Sequence, residues 1–318
     1  MKPIMWAFLV AAPLAGQVSI AQHGIEYISV EIKGKPFTQF FIGPETNKPY
    51  LHPLRAASGK IVTRGYPMED IPGESHDHPH HRGLWFAHGD VNGIDFWGNE
   101  TRGAKFGRIV LAKVDSLTGG KDSGSIAATF EWRDPAGKAL LTEARQTTFY
   151  AQPKTRTIDF DITLTALEKV VFGDSKEGTF ALRLASALEA PHAGAPAQPV
   201  RTGHMVDSQG REGEKQIWGK RADWVDFAGV VEGEPLGIAM FDNPSNPRHP
   251  TWWHVRDYGL FAANIFGLRE FENDKSKDGS LTLAPGETLR FRYRVTIHPG
   301  DAQSAHIAKL YADYAGGR

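Results

Sequence analysis

From Ile25 to Ile297 the chain is a succession of short runs, β-branched or alternating apolar and polar, each closed by glycine, proline, asparagine or aspartate. That punctuation predicts many antiparallel strands, and the 3.6-residue period of an amphipathic helix is almost absent. The clearest run is Arg156-Thr-Ile-Asp-Phe-Asp-Ile-Thr-Leu-Thr, with Ile158, Phe160, Ile162 and Leu164 on one face and polar partners on the other. A strand of that kind buries one face, as in a β-sandwich. Similar runs predict strands over 25–32, 37–42, 107–114, 125–132, 139–150, 156–164, 180–188, 236–241, 260–265 and 287–297. One helix is expected near the end, capped by Asp301 or Ser304 and carrying Ile307, Leu310, Tyr311 and Tyr314 on one stripe. The fold class is therefore all-β, a large antiparallel β-sandwich with one C-terminal helix.

The chain opens with Lys2, an apolar run from Ile4 to Leu14, and the small residues Ser19 and Ala21. This is a signal-peptide pattern, with cleavage expected before Gln22 and a periplasmic or secreted destination. No later run approaches the roughly 20 apolar residues of a membrane helix, so stable membrane insertion is not expected. Residues 22–318 show no low-complexity linker and read as a single β-sandwich domain. The chain has no cysteine, which removes disulfides, thiolate metal sites and cysteine nucleophiles. Its net charge of −1, without a basic block, argues against nucleic acid as a partner.

Residues 74–83 read Glu-Ser-His-Asp-His-Pro-His-His-Arg-Gly, placing four of the thirteen histidines within six residues. Imidazole is both a common metal ligand and the side chain that titrates nearest neutrality, so the cluster suggests a site. In an extended segment Glu74, His76, His78 and His80 share one face, while Asp77 and His81 point the other way. Pro79 lacks an amide proton and puts the segment at a loop or sheet edge, the rim of the sandwich. Two plainer readings compete, a His-rich surface loop and a hydrogen-bonded scaffold that ties loops together. The residues that follow, Trp85, Phe86, His88, Asp95, Trp97 and Asn99 among them, have the mix of a pocket wall.

Two further segments join it. Asp174-Ser-Lys-Glu-Gly-Thr-Phe-Ala-Leu-Arg brings Lys176, Glu177 and Arg183 to a strand end, either as an ordinary charged turn or as site residues. Arg183 shares a face with Ala181 and Ala185, where a guanidinium needs a carboxylate or an anionic ligand. The Pro-rich stretch from Asp242 to Tyr258 offers His249, Trp253, His254 and Arg256, followed by Asn264; the alternative there is a Trp-rich core corner with exposed histidines. There is no Gly-x-Ser-x-Gly elbow, Walker loop, Rossmann fingerprint or His-Glu-x-x-His helix.

The runs His76-Asp-His-Pro-His-His-Arg-Gly-Leu-Trp, Val91-Asn-Gly-Ile-Asp-Phe-Trp, Lys176-Glu-Gly, Trp224-Val-Asp-Phe-Ala-Gly and Asn246 through Asn264 resemble those of an exported bacterial family of unknown function that often carries the label "methane oxygenase PmoA". The label fits poorly, because a membrane methane monooxygenase subunit needs several apolar spans. The resemblance implies a fold similar to the galactose mutarotase-like supersandwich and a place in sugar processing.

The function read from the sequence is an exported enzyme acting on a carbohydrate or sugar derivative, as a hydrolase, lyase or epimerase. In it His76, His78, Asp77, Glu177 and His254 are the catalytic candidates. Arg82, Trp85, Lys176, Arg183, His249, Trp253, Arg256 and Asn264 are the candidates for substrate binding. His76, His78, His80 and His81 are candidate ligands for a divalent metal, zinc, manganese, calcium or iron. The alternatives are a non-catalytic carbohydrate-binding protein with the histidines as a hydrogen-bond hub, and an iron-dependent oxygenase using His-x-His and a carboxylate.

Overall fold

A computed structural model describes residues 17–100, 106–197 and 199–317. Its strands in chain order are β1 (Val18–His23), β2 (Tyr27–Ile32), β3 (Lys35–Phe41), β4 (Tyr50–His52), β5 (Leu84–His88), β6 (Arg108–Thr118), β7 (Ser123–Arg133), β8 (Ala139–Tyr150), β9 (Arg156–Ala166), β10 (Val170–Phe172), β11 (Gly178–Arg183), β12 (His204–Asp207), β13 (Trp224–Val231), β14 (Glu234–Asp242), β15 (Trp252–Val255), β16 (Leu260–Asn264), β17 (Leu281–Leu283) and β18 (Thr288–Pro299). They form two eight-stranded sheets, β1-β2-β3-β4-β5-β11-β16-β15 and β12-β13-β14-β18-β9-β8-β7-β6, with β10 and β17 as a small ribbon.

Aromatic side chains on the facing sides of the two sheets meet in the core. Phe40 lies 5.9 Å from Phe130, Phe86 5.4 Å from Phe291, Phe180 4.5 Å from Tyr293 and Phe261 5.0 Å from Phe227. These pairs weld the sheets into a sandwich. Since side chains alternate along a strand, Trp85, Ala181, Ala262 and His254 must lie on the far side of the first sheet. They stand in one register row across β5, β11, β16 and β15. The two alanines keep the middle of that row low, so loops can settle close to the sheet between Trp85 and His254. The site is therefore built over the outer face of the first sheet, and the expectation of a site at the sandwich rim is corrected.

The alternating strands match expectation, while β5, β11, β15 and β16 are buried on both faces. The run expected over 180–188 stops at Arg183 and gives way to a turn of 3₁₀ helix at Ser186–Leu188. The C-terminal helix spans Ile307–Ala315 and packs Ile307 and Tyr314 against Trp224 and Phe241. Its N-cap is His306, whose side chain makes no cap bond; Asp301 and Ser304 instead close their own turn at 2.7 Å. The expected signal peptide falls largely on residues 1–16, outside the described residues, and the boundary before Gln22 lies within β1, where Val18 is buried. Among the described residues no helix is long and apolar enough to cross a membrane.

Candidate functional site

The histidine segment is a turn, which redistributes its side chains. His78 adopts a left-handed φ of 43° and the amide of His81 donates to the His78 carbonyl at 3.0 Å. The shared face expected of Glu74, His76, His78 and His80 therefore does not form. Glu74 turns back to accept from the amides of Gly65 and Tyr66 at 2.8 and 3.0 Å. His76 leaves the group: its Nε2 meets Asp70 at 3.0 Å and its ring stacks on Tyr66. His81, expected on another wall, joins His78 and His80 instead. The His78 and His81 rings stack at 4.7 Å, and His80 stands edge-on to His81 at 4.4 Å.

Arg64 holds this turn in place. Its guanidinium donates to the carbonyls of Asp77 and His78, both at 3.0 Å, and to the Asp77 carboxylate. Arg183, fully buried on β11, donates to the same carboxylate at 3.0 Å and reaches His81 Nδ1 at 3.3 Å. Burial opposes the charge on Asp77, but His78, Arg183, Ser75 and Arg64 outweigh it and hold the carboxyl well below the usual carboxylate range. Asp77 is thus a fixed counter-ion rather than the proton carrier expected of it. Arg183 has the carboxylate partner its position demanded, and its head is not available to a substrate anion.

Above this layer lies a cavity of about 430 Å³. His78, His80 and His81 form one wall and Asp95 and Trp97 a second; Lys176 and Glu177 form a third, and His254, Arg256 and Tyr258 close the fourth. Four segments far apart in sequence therefore converge. Lys176 Nζ pairs with Glu177 at 2.8 Å and with Glu270 at 3.4 Å, and Arg256 donates to Glu214 at 2.7 Å. The His254 Nδ1–H donates to the Lys176 carbonyl at 3.0 Å, which leaves Nε2 as an acceptor. Burial lowers the pKa of His254 to about 4 against the pull of Glu177, and burial together with Lys48 and neighbouring cations lowers His80 to about 3. Burial also raises the carboxyl of Asp95 above its ordinary value, although its Oδ1 accepts from the amides of Trp97 and Gly98.

The remaining candidates stand behind the cavity or away from it. Trp85 is buried beneath His81, stacked at 5.3 Å, and Trp253 is a core residue whose indole donates to the Ala222 carbonyl. Neither offers a face to a sugar. Arg82 pairs with Glu100 at 3.0 Å, and His249 is held between Asp242 at 2.7 Å and Asp223 at 3.3 Å. Asn264 donates to the carbonyls of Ser175 and Lys176, so it positions Glu177 rather than touching a ligand. Of the expected pocket wall, Asp95 and Trp97 reach the cavity, while Phe86 and His88 pack behind it.

Arg64, Lys48 and Tyr258 are site residues that the sequence reading did not single out. Lys48 is buried and donates to Trp97 O and Asn99 Oδ1 at 2.9 and 2.8 Å, bracing the second wall. Burial lowers its pKa to about 8. A lysine amid polar turn residues carries no local signal of burial. Tyr258 stacks on His78 at 5.4 Å and covers Arg183 at 4.6 Å. Among the described residues, no three His, Asp or Glu side chains form a ready metal-binding group, which follows from the departure of His76 and the stacking of His78 on His81.

No curated protein matches the sequence. Among solved structures, a galactose mutarotase-like protein from Clostridium acetobutylicum aligns over 89% of this chain and 98% of its own, at 12% identity and a TM-score of 0.44. An α-galactosidase from Lactobacillus brevis aligns over 91% of this chain at 11% identity and a TM-score of 0.40. A GH36 α-galactosidase from Geobacillus stearothermophilus, in complex with raffinose, does so over 91% at 12% identity and 0.40. The chain spans 40% and 41% of the lengths of those two α-galactosidases. The sequence profile of a family of unknown function, DUF6807, matches residues 27–312, and it lends no support to the methane oxygenase label. With nearly all of the described chain inside that match, the protein belongs to the family of unknown function DUF6807.

Proposed function

We propose that the protein is an exported enzyme that performs acid–base chemistry on a sugar or sugar derivative, with Glu177 and His254 as the groups that handle protons. The observation that carries this reading is that both line one cavity with His78, His80 and His81, residues drawn together from three distant loops and strands. The cavity falls in the size range of small-molecule sites. Apart from Trp97 and Gly98, every side chain lining it ends in a charged or hydrogen-bonding group, which suits a polyol far better than a lipid or an aromatic ligand. His254 is held as an acceptor beside a carboxylate, the pairing that proton removal from a hydroxyl or an activated carbon calls for.

The hub reading has an observation of its own, because Arg64, Asp77, Arg183 and His81 do form a closed polar knot. In the proposal that knot is the support under the cavity. Thermal-shift screening against neutral monosaccharides, sugar acids and oligosaccharides, followed by proton NMR of any sugar that binds, separates the two. Turnover that falls by about 10²- to 10⁴-fold in Glu177→Gln and His254→Gln, with binding retained, is the expected result. Binding without turnover would leave a carbohydrate-binding protein; a panel in which no sugar binds or reacts would overturn the proposal.

A further inference from the structure

His81 is the deepest imidazole of the cavity, 1% exposed, and its two nitrogens have different surroundings. Nδ1 faces Arg183 Nη1 at 3.3 Å. A guanidinium only donates, so Nδ1 accepts and the ring proton sits on Nε2. Nε2 is buried without any protein partner. The ring cannot swing away to find one, since Trp85 stacks on it at 5.3 Å and His78 at 4.7 Å, the latter within 5° of parallel. A buried donor left unpaired is costly, and the residue that carries this one lines the cavity. Around it the guanidinium groups of Arg64, Arg183 and Arg201 meet the carboxylates of Asp77 and Glu189, with the Glu74 carboxyl also acting on Arg64, and the Lys48 ammonium lies behind the next wall. Elsewhere on the cavity stand Glu177, paired with Lys176, the acceptor nitrogen of His254 with Arg256 on its wall, and the Asp95 carboxyl.

We propose that His81 Nε2–H receives a carboxylate oxygen of the substrate, so that the ligand is a sugar acid and the chemistry occurs at the carbon bearing its carboxylate. This rests on the functional reading above and narrows it to a lyase or an epimerase. Glu177 takes the proton from that carbon. The C–H electron pair forms a C=C bond to the carboxylate carbon while a C–O π pair moves onto oxygen, where His81 donates a hydrogen bond without losing its proton. The resulting enediolate either takes a proton from a water on its other face, inverting the carbon while Glu177 returns its proton to the hydroxide left behind, or expels the oxygen substituent one carbon further on, which leaves with the proton Glu177 had taken and gives an unsaturated sugar. Neither outcome requires an oxidant or reductant.

The test compares D-glucuronate and D-galacturonate with D-glucose and D-galactose, by calorimetry on the wild-type protein and by NMR exchange of the C5 proton in deuterated water. The acids should bind at least about tenfold tighter than the neutral sugars, the worth of one hydrogen bond to a charged group. The C5 proton should exchange with wild type and not with Glu177→Gln. In His81→Phe, which keeps a stacked ring and removes the donor, the preference for acids should fall by about tenfold to a hundredfold, and His81→Gln should recover part of it. Neutral sugars that bind or react as well as acids would overturn this inference and leave the functional reading standing; binding of neither class would overturn both.

Discussion

Arg64 and Asp77 are joined by a guanidinium–carboxylate contact that fixes the shape of the histidine turn. The arginine side chain is fully buried while the aspartate keeps some solvent access, so one partner anchors the pair in the fold and the other carries the loop. Because the same guanidinium also caps the carbonyls of Asp77 and His78, the turn is specified by backbone as much as by charge.

Replacing Arg64 should therefore disturb the cavity as well as stability. Arg64→Met leaves Asp77 with Arg183 as its guanidinium partner beside His78 and takes the side-chain donor from the Asp77 carbonyl, while the His78 carbonyl keeps only the His81 amide. The expected cost is about 3 kcal/mol, the low end for breaking a buried ion pair, because solvent screens Asp77. Arg64→Lys cannot span the same acceptors as a planar fork and should recover less than half of the loss. Urea unfolding curves measure both, and a Met variant within 1 kcal/mol of wild type would remove Arg64 from this role.

Acid should unfold the protein in two stages. Burial keeps His52, His80, His88 and His254 neutral with pKa values of about 4, 3, 4 and 4, whereas the unfolded chain takes up protons near 6.5. The unfolded state binds more protons throughout that window, so stability must fall as pH drops from about 6.5 towards 4. The Asp77 carboxylate adds a second loss at lower pH, since its stabilisation is present above the ordinary carboxylate range and disappears as pH falls through its depressed folded value. His52 is the sharpest probe, being buried with neither nitrogen hydrogen-bonded. His52→Leu should be more stable than wild type at pH 5 and show a flatter midpoint-versus-pH curve between 7 and 4.5; an unchanged slope would contradict the assignment.

The same burial explains what the sequence disclosed and what it concealed. The β9 run was legible because one of its faces meets water and the alternation survives, whereas β5 and β15 bury both faces and lose it. The histidine cluster announced a site by density alone, but its internal geometry turned on a left-handed residue at His78 followed by Pro79, which moved His81 in and His76 out. Glu177 and His254 were visible as chemistry-bearing residues in separate segments. Arg64 and Lys48 were not, since nothing local distinguishes a buried cation from a surface one. That distinction is tertiary.

The altered cluster bears directly on metal binding. His76 is engaged by Asp70, His78 Nδ1 lies 3.0 Å from Asp77, and His81 Nδ1 faces Arg183, so three imidazole lone pairs do not converge. Calorimetric titration of tag-free protein with zinc, manganese, calcium or ferrous iron at pH 7 should show no stoichiometric binding, and chelation should leave the melting midpoint unchanged. Stoichiometric heat abolished in a His78→Ala/His80→Ala variant would restore the metal reading, and oxygen uptake dependent on ferrous iron would restore the oxygenase one.

Above the ordinary histidine pKa a different histidine should govern stability. Both ring nitrogens of His298 face acceptors, Nε2 at 2.7 Å from Asp226 Oδ1 and Nδ1 at 3.2 Å from the Pro299 carbonyl. Only the ring protonated on both nitrogens satisfies both acceptors, so this site favours the imidazolium. Burial opposes that charge, but the Asp226 hydrogen bond and attraction outweigh it and raise the pKa above 6.5. A raised folded-state value stabilises fully below the unfolded pKa and is lost as pH climbs through the folded one, which is the reverse of the window set by His52, His80, His88 and His254. Asp226→Asn keeps the shape and removes the charge, so the ring should fall back to the neutral form and its loss of stability above the ordinary histidine pKa should vanish. NMR titration of the His298 Hε1 resonance tests this: a wild-type midpoint at or below 6.5 would mean that burial, and not Asp226, decides its charge.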